Sequence, residues 1–266
     1  SIQIATRLCP ALLILGIFES ISPDHDRSCR LIINRNRRQP DVISLAFLLI
    51  VLLLILPPAG FAESNSARAL FADNKAGILQ IRIIDITSGS KSAIGSGFVI
   101  TDTGLIATNY HVVEMAASKP EQYRIEYLSA SGETNSLTLV DVDVVNDLAL
   151  VKANSQIAPV LPLAVIEPAI GVPVYALGNP LDLGLTVVPG TYNGINQTSY
   201  HPRVHFTGSL NSGMSGGPTL NESGEVVGIN VSTAGNQVSF LVPVTALQQL
   251  LSQHQLRGHG VENIRQ

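Results

Sequence analysis

The sequence predicts an all-β protein built from two small antiparallel barrels, and three observations predict it. Short runs of Val, Ile, Leu and Thr recur between residues 78 and 242, divided by turn signals such as Ser88-Gly89-Ser90, Asp102-Thr103-Gly104 and Ser131-Gly132. A linker-like stretch, Ala153–Leu163, with Asn154, Ser155, Pro159 and Pro162, splits those runs into two sets. Helical spacing of apolar residues is confined to the two ends.

In chain order, Ser66–Asn74 is expected to be a short helix, with Ala67, Ala69, Leu70 and Phe71 on its apolar side. The first set of strands is Ile78–Ile86, Gly95–Thr101, Gly104–Thr108, Tyr123–Leu128, Leu137–Val145 and Leu148–Lys152. The second set is Val172–Leu177, Leu183–Val188, Thr191–Asn196, Val204–Thr207, Pro218–Leu220, Val226–Val231 and Val238–Val242. Thr245–Ser252 closes the fold as a helix, with Ala246, Leu247, Leu250 and Leu251 at helical spacing. The expected organisation is therefore an N-terminal extension, 1–62, and one folded region, 63–266. Within that region the first barrel spans about 75–153, the second about 164–244, and the final helix about 245–252.

Composition bounds the partners. The chain is 45% hydrophobic and 5% aromatic with no Trp, which points to a core of Val, Ile, Leu and Ala. From Glu63 onward there are 10 Lys and Arg against 16 Asp and Glu, a formal charge of −6, so nucleic acid is not an expected partner. Val42–Leu56 is a run of fifteen residues, apolar except for Ser44, preceded by Arg35, Arg37 and Arg38 and followed by Pro57-Pro58 and small residues. That is the layout of a secretory signal, with cleavage expected after Ala62. The other reading is a retained anchor, and a spanning helix needs ~20 residues. The expected location is therefore the periplasm or the exterior, with membrane contact only if the 42–56 segment is kept. The first Met is Met115, so residue 1 is not expected to be the translation start. Both cysteines, Cys9 and Cys29, precede the apolar run, and an exported domain without disulfides must rely on its core.

The residues that carry chemistry are few. In Gly213-Met214-Ser215-Gly216-Gly217-Pro218, small residues crowd around one serine. A glycine two places before it lets the backbone turn so that the N–H groups of Gly213 and Ser215 face one point, where they could hold an oxyanion. A histidine stands in Thr108-Asn109-Tyr110-His111-Val112-Val113, and an aspartate in Asn146-Asp147-Leu148-Ala149-Leu150-Val151. The order His, Asp, Ser differs from that of subtilisins and α/β-hydrolases, and Gly216 follows Ser215 too closely for the GxSxG elbow. Asp141 and Asp143 are rivals to Asp147, but they alternate with Val140, Val142 and Val144 as on a solvent-facing strand. A lone serine in a Gly-rich turn, or a histidine beside a core strand, would be structural; the three together and in order are not expected by accident.

With these residues the chain resembles a trypsin-like serine protease of the bacterial Deg/HtrA type. The resemblance extends to Gly178-Asn179-Pro180-Leu181-Asp182-Leu183-Gly184-Leu185-Thr186-Val187, to Gly224-Glu225-Val226-Val227-Gly228-Ile229-Asn230, and to Phe240-Leu241-Val242-Pro243, and it covers roughly residues 68–252. It implies two six-stranded Greek-key barrels of the chymotrypsin type with short N- and C-terminal helices. It also implies a triad of His111, Asp147 and Ser215 in the cleft between them, with no cofactor and no metal. A PDZ domain, usual in that family, has no room after the last helix, so tail sensing and cage assembly are not expected. By the same resemblance Ser209 lies at the base of the specificity pocket and Ser239 on its wall. Val231, Ser232 and Thr233 would offer main-chain hydrogen bonds to an extended peptide, with Asn230 and Thr233 flanking that strand. A base without an acid disfavours Lys or Arg before the cleaved bond and favours small or medium aliphatic residues. Met214 departs from the family, where Asn is usual and zymogens have Asp. Met cannot pair with a freed N-terminus, so activation by N-terminal cleavage is not expected.

The function expected is serine endopeptidase, acting on unfolded or exported proteins through an acyl-enzyme. Its rate should fall as His111 takes up a proton. The alternative is a silent or partner-activated protease fold that binds peptides. His201 and His205, four apart, have no nearby Cys or carboxylate to support a metal site, and His254 and His259 read as surface residues.

Overall fold

A computed structural model of the protein describes residues 62–264, apart from 158, 197–200, 236 and 237. Of two compact units, 1–57 and 58–266, the described residues all belong to the second. The expected signal segment, 42–56, lies outside them. Among the described residues no helix is long and apolar enough to cross a membrane.

Helix α1 (Ala62–Asn74) and a 3-10 turn (Lys75–Gly77) lead into β1 (Ile78–Asp85), β2 (Lys91–Val99) and β3 (Leu105–Thr108). Helix α2 (Tyr110–Ser118) follows, then β4 (Tyr123–Leu128), β5 (Thr134–Asp143) and β6 (Leu148–Ala153). These six strands close an antiparallel barrel in the order β1-β2-β3-β6-β5-β4. The second half contains β7 (Pro173–Gly178), a 3-10 turn (Pro180–Asp182), β8 (Thr186–Asn196), β9 (Arg203–Phe206), β10 (Pro218–Leu220), β11 (Val226–Gly235) and β12 (Val238–Pro243). They close a second barrel in the order β10-β11-β12-β9-β8-β7, and helix α3 (Val244–Ile264) follows.

The near-continuous apolar runs have a physical reason, which is that both faces of several strands are buried. Successive strand residues point to opposite faces. In β6, Ala149 and Val151 fill the first barrel, while Leu148 and Leu150 face the other way. In β7, Val174 and Ala176 fill the second barrel, while Tyr175 and Leu177 face the other way. The outward residues of the two strands join Phe98, Leu105, Leu220, Ile229 and Leu247 in a third apolar cluster between the barrels. Fully burying one such aliphatic side chain contributes roughly 1.5–3 kcal/mol, so this seam fixes one barrel on the other and sets the cleft above it.

Several boundaries differ from expectation. The expected strands Leu183–Val188 and Thr191–Asn196 are joined in one, β8, which begins at Thr186, and this is why the second barrel has six. Pro189 does not interrupt it because the ladder to β9 begins only at Tyr192, leaving that edge open where an N–H is missing. β2 starts at Lys91 rather than Gly95, carried by pairing with β1. Helix α2 was not foreseen. Its β-branched Val112 and Val113 read as strand, but with Ala116 they form a buried helical face. Helix α3 runs on to Ile264, well past Ser252. Arg257 Nη2 lies 2.8 Å and His254 Nδ1 3.1 Å from Asp141 Oδ2, contacts that apolar spacing does not show. His254 is thus half-buried and paired, not a free surface residue.

Candidate active site

The site is assembled from three turns that meet above the seam. Asn109, in extended conformation, precedes α2 and places His111 in its first turn. The turn between β5 and β6 is closed by Asp143, whose carboxylate accepts from Asn146 N (3.0 Å) and Nδ2 (2.7 Å). Asp147 follows with φ of 60°, a left-handed conformation uncommon outside glycine. Its two carboxylate oxygens are both used by His111: Oδ1 accepts from the backbone N–H at 2.9 Å, and Oδ2 faces ring Nδ1 at 2.8 Å. That contact puts the proton of neutral His111 on Nδ1 and leaves Nε2 as the acceptor. Asn109 Nδ2 donates to the Asp147 carbonyl at 2.8 Å and secures the left-handed residue. Arg203, at the start of β9, has its guanidinium pushed below its usual range by burial, opposed by the charges of Asp147 and Asp143. A cation of the second barrel therefore stands within electrostatic reach of the Asp147 carboxylate.

Asp141 is held elsewhere by α3, so of the three acidic residues in this region Asp147 alone meets His111.

Ser215 lies in the turn between β9 and β10. The turn is tight because of two glycines. A Cβ on Gly216 would stand 2.2 Å from Ser96 O, and Gly213 has φ of 93° with Asn179 O just 2.4 Å from where its Cβ would be. The N–H groups of Met214, Gly216 and Gly217 donate to Asn211, Asn230 and Met214 carbonyls. Among the described residues, those of Gly213 and Ser215 donate to no protein acceptor. The Ser212 carbonyl accepts from Leu181 N at 2.9 Å. Since the peptide is trans, the Gly213 N–H points away from the Pro180–Asp182 turn. Met214 is fully buried in the core of the second barrel beside Val174, Ala176 and Leu210. An apolar anchor thus stands where a zymogen carries its acid.

The Ser215 hydroxyl donates to the Val231 carbonyl at 2.6 Å. It has one proton, so it is not donating to His111 in this state. Val231 falls at the register shift between Asn230 and Ser232 in the β11–β12 ladder, which is how its carbonyl comes to face the serine.

Three positioning residues were missed or misread in the sequence. Ser96, fully buried on β2, uses every polar atom, and its N–H and Oγ reach across to the second barrel. Its N–H donates to Ser215 O at 2.7 Å and its Oγ to Gly213 O at 2.7 Å. The same Oγ accepts from Asn179 N at 2.9 Å, and its carbonyl accepts from Thr108 Oγ1 at 2.7 Å. The signal was there in Gly95-Ser96-Gly97, because glycines inside a strand mark close backbone approach. Asn109 is the second. Asn230 is the third; it was expected to flank the substrate strand, but it is fully buried and clamps Leu177 O and Met214 O with Nδ2 while accepting from Thr219 Oγ1.

Of the expected pocket residues, Ser209 is exposed and precedes buried Leu210. Ser239 is fully buried, with its hydroxyl accepting from Leu210 N at 3.2 Å, so it braces the wall from behind. Ser232 and Thr233 pair through their backbones with Phe240 and Ser239, and their side chains lie outside the described residues.

Comparisons with known proteins agree with this architecture. The sequence model of the trypsin-like peptidase domain matches residues 95–229. Human "Serine protease HTRA3" is 31% identical over 173 residues, covering 60% of this chain and 38% of that protein. The "Probable periplasmic serine endoprotease DegP-like" of Halomonas elongata is 33% identical over 183 residues, covering 65% of this chain and 37% of that protein. The crystal structure of the serine endoprotease from Yersinia pestis superposes with a TM-score of 0.64 at 26% identity, covering 72% of this chain and 67% of that one. The chain thus spans well under half the length of the curated relatives it matches.

Proposed function

The chain belongs to the trypsin-like peptidase family, and from that membership we propose that it is a serine endopeptidase using His111, Asp147 and Ser215. The observation that carries this reading is the two-point contact of Asp147 with His111, which presents Nε2 as a base. An extended peptide pairs with the β11 backbone, and one of its N–H groups takes the Val231 carbonyl. The Ser215 hydroxyl, displaced from that carbonyl, turns to His111 Nε2. Ser215 Oγ then attacks the peptide carbonyl as His111 takes its proton, and the oxyanion is held by the Gly213 and Ser215 N–H groups. His111 returns the proton to the leaving amine, an acyl-enzyme forms, and water activated by the same histidine releases it. Asp147 fixes the tautomer and stabilises the imidazolium throughout. The uncharged Ser209 region suits a small or medium aliphatic residue before the cleaved bond. The basic-flanked 42–56 run and the name of the Halomonas relative support a site of action outside the cytoplasm, on unfolded or exported proteins.

Hydrolysis of denatured casein tests the activity. Wild type is expected to cleave it, and Ser215→Ala and His111→Ala each to lose on the order of 10⁴-fold or more in kcat. The diversion of Ser215 onto Val231 favours one second reading, a partner-activated or silent peptide-binding protein. Peptide affinity that persists in Ser215→Ala, with no turnover in wild type, would establish that reading instead.

A further inference from the structure

A cavity of about 440 Å³ opens beside Gly213, lined by Lys91, Ala93 and Ile94 of β2, by Leu181 and Asp182, and by Ser212. Its place follows from the two strands that leave Ser215. β11 leads away on the second barrel and pairs with the half of a substrate before the cleaved bond. β2 touches Ser215 at Ser96 and leads away on the first barrel, back to Lys91. The cavity therefore lies where the half beyond the cleaved bond must run. Lys91 lies five residues before Ser96 on β2, and since a paired peptide rises by the same ~3.3 Å per residue, it falls opposite the fourth or fifth residue beyond that bond.

The charges there are organised. Asp182 is left-handed, with φ of 62°. Its Oδ1 accepts from Nε2 of buried Gln80 at 2.8 Å, and its Oδ2 is paired with Lys91 Nζ. Arg82 donates from Nε to Gln80 Oε1 at 2.5 Å and brings Nη2 to 3.9 Å from Asp182 Oδ1. Two cations thus face one carboxylate, and Lys91, with three donors and a part-exposed side chain, spends one on Asp182. Leu181, well exposed, supplies an apolar lip.

We propose that this cavity is a subsite for the leaving half of the substrate that selects an acidic side chain, with Lys91 as the specificity-determining residue and Gln80 and Asp182 holding it in place. The inference rests on the peptidase reading above. An exposed ion pair of this kind supports a preference of about three- to fivefold for Glu over Gln.

The test uses quenched peptides identical except for Glu, Gln or Lys at the fourth and fifth positions beyond the cleaved bond. Wild type is expected to rank kcat/KM Glu over Gln over Lys. Lys91→Ala should abolish the ranking and Lys91→Arg should keep it, which separates charge from a folding defect. Affinities of the same peptides for Ser215→Ala should follow the same order. Equal values for the three peptides, or an unchanged ranking in Lys91→Ala, overturns the proposal. If nothing is cleaved, the affinities still decide it. Fluorophosphonate labelling of Ser215 needs no residue beyond the bond, and so reports separately on the peptidase reading.

Discussion

At the scale of single residues, the site depends on side chains that never touch a substrate. Ser96 holds the carbonyls of Gly213 and Ser215 and so anchors the loop that carries both oxyanion donors, while the two N–H directions follow from the Ser212 and Met214 carbonyls, held by Leu181 N and by Asn230 Nδ2. Ser96→Ala is expected to lower kcat about 10- to 100-fold with little change in KM, because a donor misplaced in the transition state costs rate before binding. Steady-state kinetics on protein with wild-type circular dichroism checks this; a change confined to KM would remove Ser96 from the account. Met214 acts by burial. Met214→Asp should destabilise by about 3 kcal/mol or more, since its core offers the carboxylate no partner, as urea denaturation would report. The proposed reactive residues stand out in the sequence because each lies in a short dense motif. Ser96 and Asn230 were not legible in that role, because a buried hydrogen-bond hub is made by segments far apart in the chain.

At the scale of elements, the strands were readable and their joins were not. Period-two burial and Gly-rich turns mark where a strand lies, but only pairing shows that β8 runs through Pro189 and that β2 begins in polar residues. Helix α2 is short and carries β-branched residues, and the long polar end of α3 is held by Asp141 on β5 of the first barrel, a contact between residues more than a hundred positions apart in the chain. Arg257→Ala should therefore cost about 0.5–1 kcal/mol, seen as a small fall in Tm that Arg257→Lys partly restores. The Pro180–Asp182 turn makes a pH prediction. Hydrogen bonds from Lys91 and Gln80, and the charges of Lys91 and Arg82, hold the Asp182 carboxyl below its usual 3.8. A carboxylate depressed in the folded state contributes stability in full above its unfolded pKa and loses it as pH falls through the lower folded value. The Tm gap between wild type and Asp182→Asn should be constant from pH 8 to 5 and shrink only below 3.8. A gap that closes between pH 8 and 5 would contradict the assignment.

At the scale of the whole molecule, three apolar clusters explain why a cleft exists. Two fill the barrels, and the third joins them through Tyr175, Leu177, Leu148 and Leu150. The seam carries His111 and Asp147 on one side and Ser215 on the other, and Ser96 spans it. Leu177→Ala should cost roughly 2–5 kcal/mol and reduce activity together with stability, because the seam sets the distance between base and nucleophile. The measurement that bears most directly on the central claim is labelling of the whole protein with a fluorophosphonate and location of the adduct by peptide mass. The expected result is an adduct on Ser215 that is lost in His111→Ala. Folded wild-type protein with no adduct on Ser215 would contradict it, and would mean that the hydroxyl stays on Val231 and the triad does not assemble.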